Sequence, residues 1–161
     1  MNRKKVLGFV FLALSAAAAV FIFSNSLQPA SVSGAVSGGL LEKVNAFLAH
    51  IGLRGISEKL LRKTAHICEF GLLGLLASSA AACFSHARKR GYLLSLALCI
   101  AVAVTDEIIQ YFVPGRACLF TDVLIDVSGA ALGTLCTALT VFAMKRARRR
   151  KKAGDQSPHI H

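Results

Sequence analysis

The chain has 161 residues, of which 55% are hydrophobic, and its mean hydropathy is +0.59. Soluble domains are rarely so apolar, so this composition indicates a membrane protein. The formal net charge is +11, but the basic residues form clusters beside long apolar runs, which argues against a nucleic-acid-binding surface. The five cysteines are odd in number and mostly lie in apolar runs, so neither a disulfide framework nor a zinc-ligand spacing is predicted.

Four apolar runs predict four membrane helices, since each is close to the ~20 residues that a bilayer core requires. The first run follows a basic start but exceeds the roughly 7–15 apolar residues of a signal peptide, so we interpret it as an uncleaved first span. The predicted fold class is an all-α polytopic membrane protein, a four-helix transmembrane bundle within residues 1–144. The predicted spans are about 6–24, 60–84, 92–112 and 121–144.

The distribution of lysine and arginine predicts the orientation in the cell membrane, because cytoplasmic loops retain an excess of these residues. With both termini in the cytoplasm, thirteen of the nineteen basic residues lie on the cytoplasmic side. Residues 145–161 form a basic tail, which we expect to be disordered and to hold the last helix in its orientation.

The segment between the first two spans has two parts. A serine- and glycine-rich stretch, 24–37, is followed by residues 39–53, in which apolar side chains recur at helical spacing. This pattern predicts an amphipathic helix on the outer side of the membrane. It fits equally a helix on the membrane surface and a helix packed across the mouth of the bundle.

The acidic residues have an unusual distribution, because five of the eight lie within or at the edge of predicted spans. An ionisable group at the bilayer centre costs roughly 2.5–3.5 kcal/mol by insertion scales, so such groups face the protein interior or a water-filled cavity. Successive spans run in opposite directions, and each residue of a helix adds ~1.5 Å along its axis. Carboxylates of three helices therefore lie at a similar depth, in one layer near the outer side of the membrane. These five acids are Glu69, Asp106, Glu107, Asp122 and Asp126.

Helical spacing places several of these groups on shared faces, because residues three or four apart are neighbours. The face of Asp122 and Asp126 continues into glycines, which allow close helix packing. Glu107 points away from the face of Asp106, so we assign it a structural role. The predicted ligand-binding residues are Arg62, Lys63, His66, Glu69, Asp106, Gln110, Arg116, Asp122 and Asp126.

The combination of these motifs resembles the VanZ-like family of bacterial membrane proteins. The similar positions run from about residue 20 to residue 135. The resemblance implies a polytopic envelope protein, and the namesake of the family is linked to low-level resistance to the glycopeptide teicoplanin. One departure is Phe70, where such proteins often carry tyrosine. The matching positions are Phe23, Ser24, Ser26, Arg62, Lys63, Ala65, His66, Glu69, Asp106, Glu107, Gln110, Pro114, Gly115, Arg116, Asp122, Asp126 and Gly129.

Our leading hypothesis is a binding site for an anionic or amphipathic envelope molecule. Arg62, Lys63 and Arg116 lie at the rim of the predicted layer, and arginine suits phosphate and carboxylate groups. The ligand is then a membrane lipid, a lipid-linked cell-wall precursor or the glycopeptide itself. The sequence names no cofactor and leaves the oligomeric state open.

Three alternatives remain. The first is an enzyme, for which the catalytic candidates are His66, Glu69, Asp106 and Asp126. Its chemistry would use either a His/Asp acid–base pair or carboxylates that hold Mg²⁺. No established metal motif is present, so no metal site is predicted. A transporter is disfavoured, since its site usually lies at the midplane between repeated halves. The charges could instead form a structural ion-pair network that fixes helix register.

Overall fold

Five helices make up the regular structure of the described residues, 2–85 and 88–155, in the computed structural model. Four of the five are long and apolar enough to cross a membrane, the exception being α2. The predicted all-α fold with four spans and one additional helix is therefore confirmed. The helices are α1 (Arg3–Ser26), α2 (Ala30–His50), α3 (Glu58–Phe84), α4 (Arg88–Tyr111) and α5 (Phe120–Asp155).

Local capping explains where the first and third helices begin. The Asn2 side chain accepts a hydrogen bond from the backbone N–H of Lys4 at 3.2 Å, which satisfies a free donor in the first turn of α1. Ser57 caps α3 in the same way, because its hydroxyl accepts from the N–H of Leu60 at 3.3 Å. These caps start the two helices close to the predicted span boundaries.

Two helix boundaries differ from the sequence-based prediction. Helix α2 begins at Ala30, directly after Pro29, and so includes most of the serine- and glycine-rich stretch. Proline suits a helix start because its ring fixes φ and it lacks the N–H that a first turn leaves unpaired. Helix α5 continues to Asp155 through the basic residues, which corrects the predicted disorder over 145–155. Alanine, arginine and lysine are strong helix formers, and residues 156–161 lie outside the described residues.

Helix α3 lies at the centre of the bundle and packs against α5, α1 and α4. Helix α2 packs on α3 and buries none of its own residues. A hydrophobic core joins the four spanning helices, with Phe70 completely buried inside it. Its members are Ile22, Phe70, Leu73, Ala77, Cys99, Ala103 and Ala130.

Glycines bring the backbones of α3 and α5 into direct contact. A Cβ atom added to Gly129 would lie 3.1 Å from the Cα atom of Ile67, and one added to Gly74 would lie 2.8 Å from the Cα atom of Ala130. A Cβ atom on Gly133 would overlap the carbonyl oxygen of Gly71. Small residues permit this approach between membrane helices, and the predicted glycine face of α5 is the one that α3 contacts.

We expect Gly133→Ala to lower the thermal stability of the purified protein. The added methyl group forces the α3 and α5 backbones apart, and overpacking of this kind costs about 1–3 kcal/mol. Gly38→Ala in α2 is the matched control, because no atom lies within 4 Å of its added Cβ atom and alanine favours helix. Thermal unfolding followed by circular dichroism checks both variants. Equal stabilisation by the two substitutions would contradict the close α3–α5 contact.

Candidate functional site

The predicted site residues converge at one end of the bundle, where α1 and α4 end and α3 and α5 begin. Helix α2 lies beside this end, which we call the α2 end. The basic clusters 3–5, 89–90 and 145–151 lie at the opposite end of the spanning helices. The two ends therefore differ in chemistry, one with mixed charges and the other strongly basic.

The deepest part of the site consists of His66 on α3, Asp106 on α4 and Asp126 on α5. Both aspartates are 0% exposed. The His66 Nδ1 atom lies 3.1 Å from Asp126 Oδ1. One ligand atom from each of the three side chains lies within 4.8 Å of the others. Three helices thus deliver one imidazole and two carboxylates to a single point, as the predicted layer implied.

Two amide side chains orient the acids around this point. Gln110 donates to Asp106 Oδ2 at 2.8 Å and to the hydroxyl of Ser26 at 3.3 Å. Asn25 donates to Glu69 Oε1 at 3.2 Å. Glu69 therefore faces α1, whereas His66, three residues earlier on α3, faces α5. The two residues share one side of the helix but have different partners.

The rim of the site is basic. Lys63 lies 3.7 Å from Asp122, and both side chains are partly exposed. Arg116 donates to the backbone carbonyls of Gln28 at 3.2 Å and Asn25 at 3.0 Å. Burial lowers the pKa of the Arg116 guanidinium, and the positive charge of Arg62 lowers this pKa further. Arg62 itself has no hydrogen bond and no carboxylate within 4.0 Å among residues 2–85 and 88–155.

Two cavities open at this rim. The larger has a volume of about 410 Å³ and reaches Asp126 at its floor. The smaller, of about 190 Å³, lies under the first half of α2 and reaches Glu69. Arg62, His66 and Arg116 line both cavities. Every residue of the predicted ligand-binding set except Asp106 therefore lines a cavity, and Asp106 accepts a hydrogen bond from Gln110, which lines the larger one.

Three buried carboxylates each keep one oxygen without a hydrogen-bond partner in the described part of the chain. These oxygens are Asp106 Oδ1, Glu107 Oε1 and Asp126 Oδ2. The other oxygen of Glu107 accepts from the backbone N–H of Leu119 at 2.9 Å. Glu107 thereby holds the α4–α5 connection, an arrangement that fits the structural role we expected for it.

Comparison with protein families gives the affiliation of the chain. Residues 9–142 match the family described as VanZ/LLP1. This match covers most of the chain and includes all nine predicted ligand-binding residues. The chain belongs to the VanZ/LLP1 family. It is thus a VanZ-family protein with four apolar helices suited to a membrane. The comparisons with curated proteins and with solved structures gave no match.

Three contributors to the site of this VanZ-family protein were absent from the predicted ligand-binding residues, although one of them, Ser26, is among the positions that carry the family resemblance. Asn25, Ser26 and Gln28 all come from the end of α1 and the turn that follows, where they contact Glu69, Gln110 and Arg116. The sequence signal was present, because polar residues directly after an apolar span lie at the depth of the charged layer. The residues that they contact could not be predicted, because an uncharged carbonyl, hydroxyl or amide group gives no charge complementarity from which to infer a partner.

Proposed function

We propose that this VanZ-family protein binds an anionic, amphipathic molecule of the cell envelope in the larger cavity at the α2 end. The observation that carries the proposal is the pair of arginines, Arg62 and Arg116, which line one cavity without a carboxylate within 4.0 Å in the described ranges 2–85 and 88–155. We also propose that occupation of this cavity underlies protection against teicoplanin.

The charge of the cavity wall favours an anion. Arg62 and Arg116 repel each other, since the charge of one lowers the pKa of the other, and a bound phosphate or carboxylate relieves that repulsion. Lys59 and Lys63 line the same cavity, although Lys63 pairs with Asp122. The four lysine and arginine side chains of the lining outnumber its three acids, Glu58, Asp122 and Asp126. Guanidinium groups bind such oxygens through parallel hydrogen bonds. Lipid headgroups, lipid-linked wall precursors and the glycopeptide share this anionic chemistry.

The surroundings of the cavity favour a ligand with an apolar part. Phe112 and Phe120 flank the α4–α5 connection and are 77% and 75% exposed. Leu119, beside them, lines the cavity. Since large apolar side chains are exposed all along the spanning helices, the cavity borders a surface suited to lipid, which fits a molecule whose headgroup is polar and whose tail lies in the bilayer.

The basic opposite end of the bundle supports an outward-facing cavity. Cytoplasmic loops and tails of membrane proteins carry an excess of lysine and arginine, and the clusters at 3–5, 89–90 and 145–151 lie away from α2. In this orientation both termini are cytoplasmic, and the cavity opens to the outer leaflet, where the last lipid-linked steps of wall assembly occur.

We expect Arg62→Gln to weaken binding of phosphatidic acid by about tenfold, since a hydrogen bond to a charged group contributes ~1.5–3 kcal/mol. Titration of the purified protein with short-chain lipid, followed by native mass spectrometry, measures the affinity. Because Arg62 has no described partner, its loss leaves no orphaned group. Phosphatidylcholine with the same acyl chains is the ligand control.

Arg54→Gln is the matched protein control. Arg54 is exposed in the connection between α2 and α3 and lines neither cavity. We expect this variant to bind phosphatidic acid as the wild type does. An equal loss in both variants would show that surface charge alone attracts the lipid, and unchanged binding by Arg62→Gln would contradict the proposed site.

A further inference from the structure

We infer that His66, Asp106 and Asp126 bind a divalent transition-metal cation at the floor of the larger cavity, with Zn²⁺ or Mn²⁺ as the fitting ions. The inference concerns the buried cluster and does not require that the cavity bind a lipid. It adds a metal site to a sequence in which no spacing predicted one, because the three ligands come from three different helices.

The burial of two carboxylates in one cluster favours a bound cation. Asp106 and Asp126 are 0% exposed, and His66 is the one basic side chain of the described residues within 4.0 Å of either carboxylate. Moving a carboxylate out of water without a partner is highly unfavourable. A divalent cation between the two aspartates neutralises both charges, which one imidazolium ion cannot do.

Two carboxylate oxygens of the cluster are available for coordination. Asp106 Oδ1 and Asp126 Oδ2 have no hydrogen-bond partner in the described part of the chain. One ligand atom from each side chain lies within 4.8 Å of the others. Metal bonds of about 2.0–2.2 Å to nitrogen and oxygen draw such atoms closer together. The side chains must rotate to close this distance, and the cation then displaces the proton shared by His66 and Asp126, which is released to water.

The donor set decides which metals fit. One imidazole with two carboxylates suits Zn²⁺ or Mn²⁺ better than Mg²⁺, which prefers oxygen ligands alone. Three protein ligands leave at least one coordination position open, as in catalytic zinc sites. His66 and Asp126 also line the larger cavity, so that position faces the space in which an anionic ligand would lie.

Gln110 acts on this site as a positioning residue. Its amide donates to Asp106 Oδ2 at 2.8 Å, which fixes the carboxylate and leaves Oδ1 for the metal. Hydrogen bonds of this kind orient metal ligands, and their loss typically weakens metal binding 10–100-fold. The same amide contacts Ser26 on α1, so all four spanning helices support the cluster.

Metal titration of the full-length protein tests the site. Protein purified in detergent is stripped with a chelator and titrated with Zn²⁺ and with Mn²⁺ alone, and bound metal is measured after dialysis. We expect one equivalent to bind the wild type, and Asp106→Asn and Asp126→Asn to weaken that binding by at least about 100-fold, since each removes a direct ligand.

Two acids nearby provide matched controls. Asp122 lies one turn from Asp126 on α5 and pairs with Lys63, and Glu107 is a buried acid next to Asp106 with a free oxygen of its own. We expect Asp122→Asn and Glu107→Gln to keep the single equivalent. A similar loss in the controls would show that general negative charge attracts the metal, and it would overturn the assigned ligands.

X-ray absorption of the zinc-loaded wild type decides the question without any variant. We expect one imidazole nitrogen and oxygen ligands at about 2.0–2.1 Å, with no sulfur at ~2.3 Å. The chain has free cysteines outside the cluster, so sulfur ligation would place the zinc there and overturn the inference. Failure of the wild type to bind either metal would overturn it as well.

Discussion

His66→Leu alone is expected to destabilise the protein by about 3–5 kcal/mol, and adding Asp126→Leu is expected to restore most of that loss. The single substitution removes the basic side chain that lies 3.1 Å from a carboxylate with 0% exposure. The remaining acid is buried and has lost its counter-charge. The double variant replaces both polar groups with apolar ones, so no orphaned charge is left in the bundle.

Lys63→Leu is the control for this prediction. Lys63 and Asp122 also form an ion pair between α3 and α5, but their side chains are 35% and 30% exposed. A partly solvated pair contributes roughly 0–1 kcal/mol, so its loss should change the unfolding temperature little. Thermal unfolding in one detergent measures all three variants. Equal destabilisation by His66→Leu and Lys63→Leu, or no recovery in the double variant, would contradict the buried-pair argument.

The double variant His66→Leu/Asp126→Leu distinguishes a structural role of this polar pair from a functional one, provided that the variant folds. If the charges of His66 and Asp126 served only to fix helix register, apolar replacement would leave every activity of the protein intact. The close α3–α5 contact at Gly71, Gly129 and Gly133 already fixes the relative position of these helices. A polar pair so near a glycine contact adds little to register, which favours a functional reason for it.

Hydropathy and helical spacing predicted the spans and the charged layer, because both depend on local sequence and on the alternating direction of the helices. Asp106 with Gln110 is such a case, since a spacing of four residues sets their contact. The partner of His66 was not predictable in this way. Its contact with Asp126 on α5, and that of Glu69 with Asn25 on α1, depend on the rotation of each helix in the bundle.

The remaining differences have equally physical causes. Helix α2 begins earlier than its apolar stripe because Pro29 starts a helix that its serines and glycines alone do not indicate. Helix α5 passes the end of the apolar run because its basic residues are strong helix formers. An apolar run indicates which part of a helix suits the membrane, and it does not indicate where the helix ends beyond that part.

In a susceptible Gram-positive host, we expect expression of the wild type to raise the inhibitory concentration of teicoplanin several-fold, and Arg62→Gln to abolish this protection. We expect teicoplanin resistance because of the family resemblance, and we propose that it depends on ligand binding in the larger cavity. Arg62 lines both cavities and has no described partner to lose, so its removal should leave the abundance of the protein in the membrane unchanged. Quantitative immunoblotting of the same cells measures that abundance.

The set of variants in this host distinguishes the competing explanations. Arg54→Gln should protect as the wild type does, because its side chain lies outside the cavities. If the buried cluster takes part in function, Asp126→Asn should be present in the membrane but should not protect. If Asp126→Asn is abundant and still protects, only the basic residues at the rim are needed for function. Protection that survives Arg62→Gln would separate the phenotype from the cavity. A wild type that never protects would show that the phenotype linked to the family does not extend to this chain.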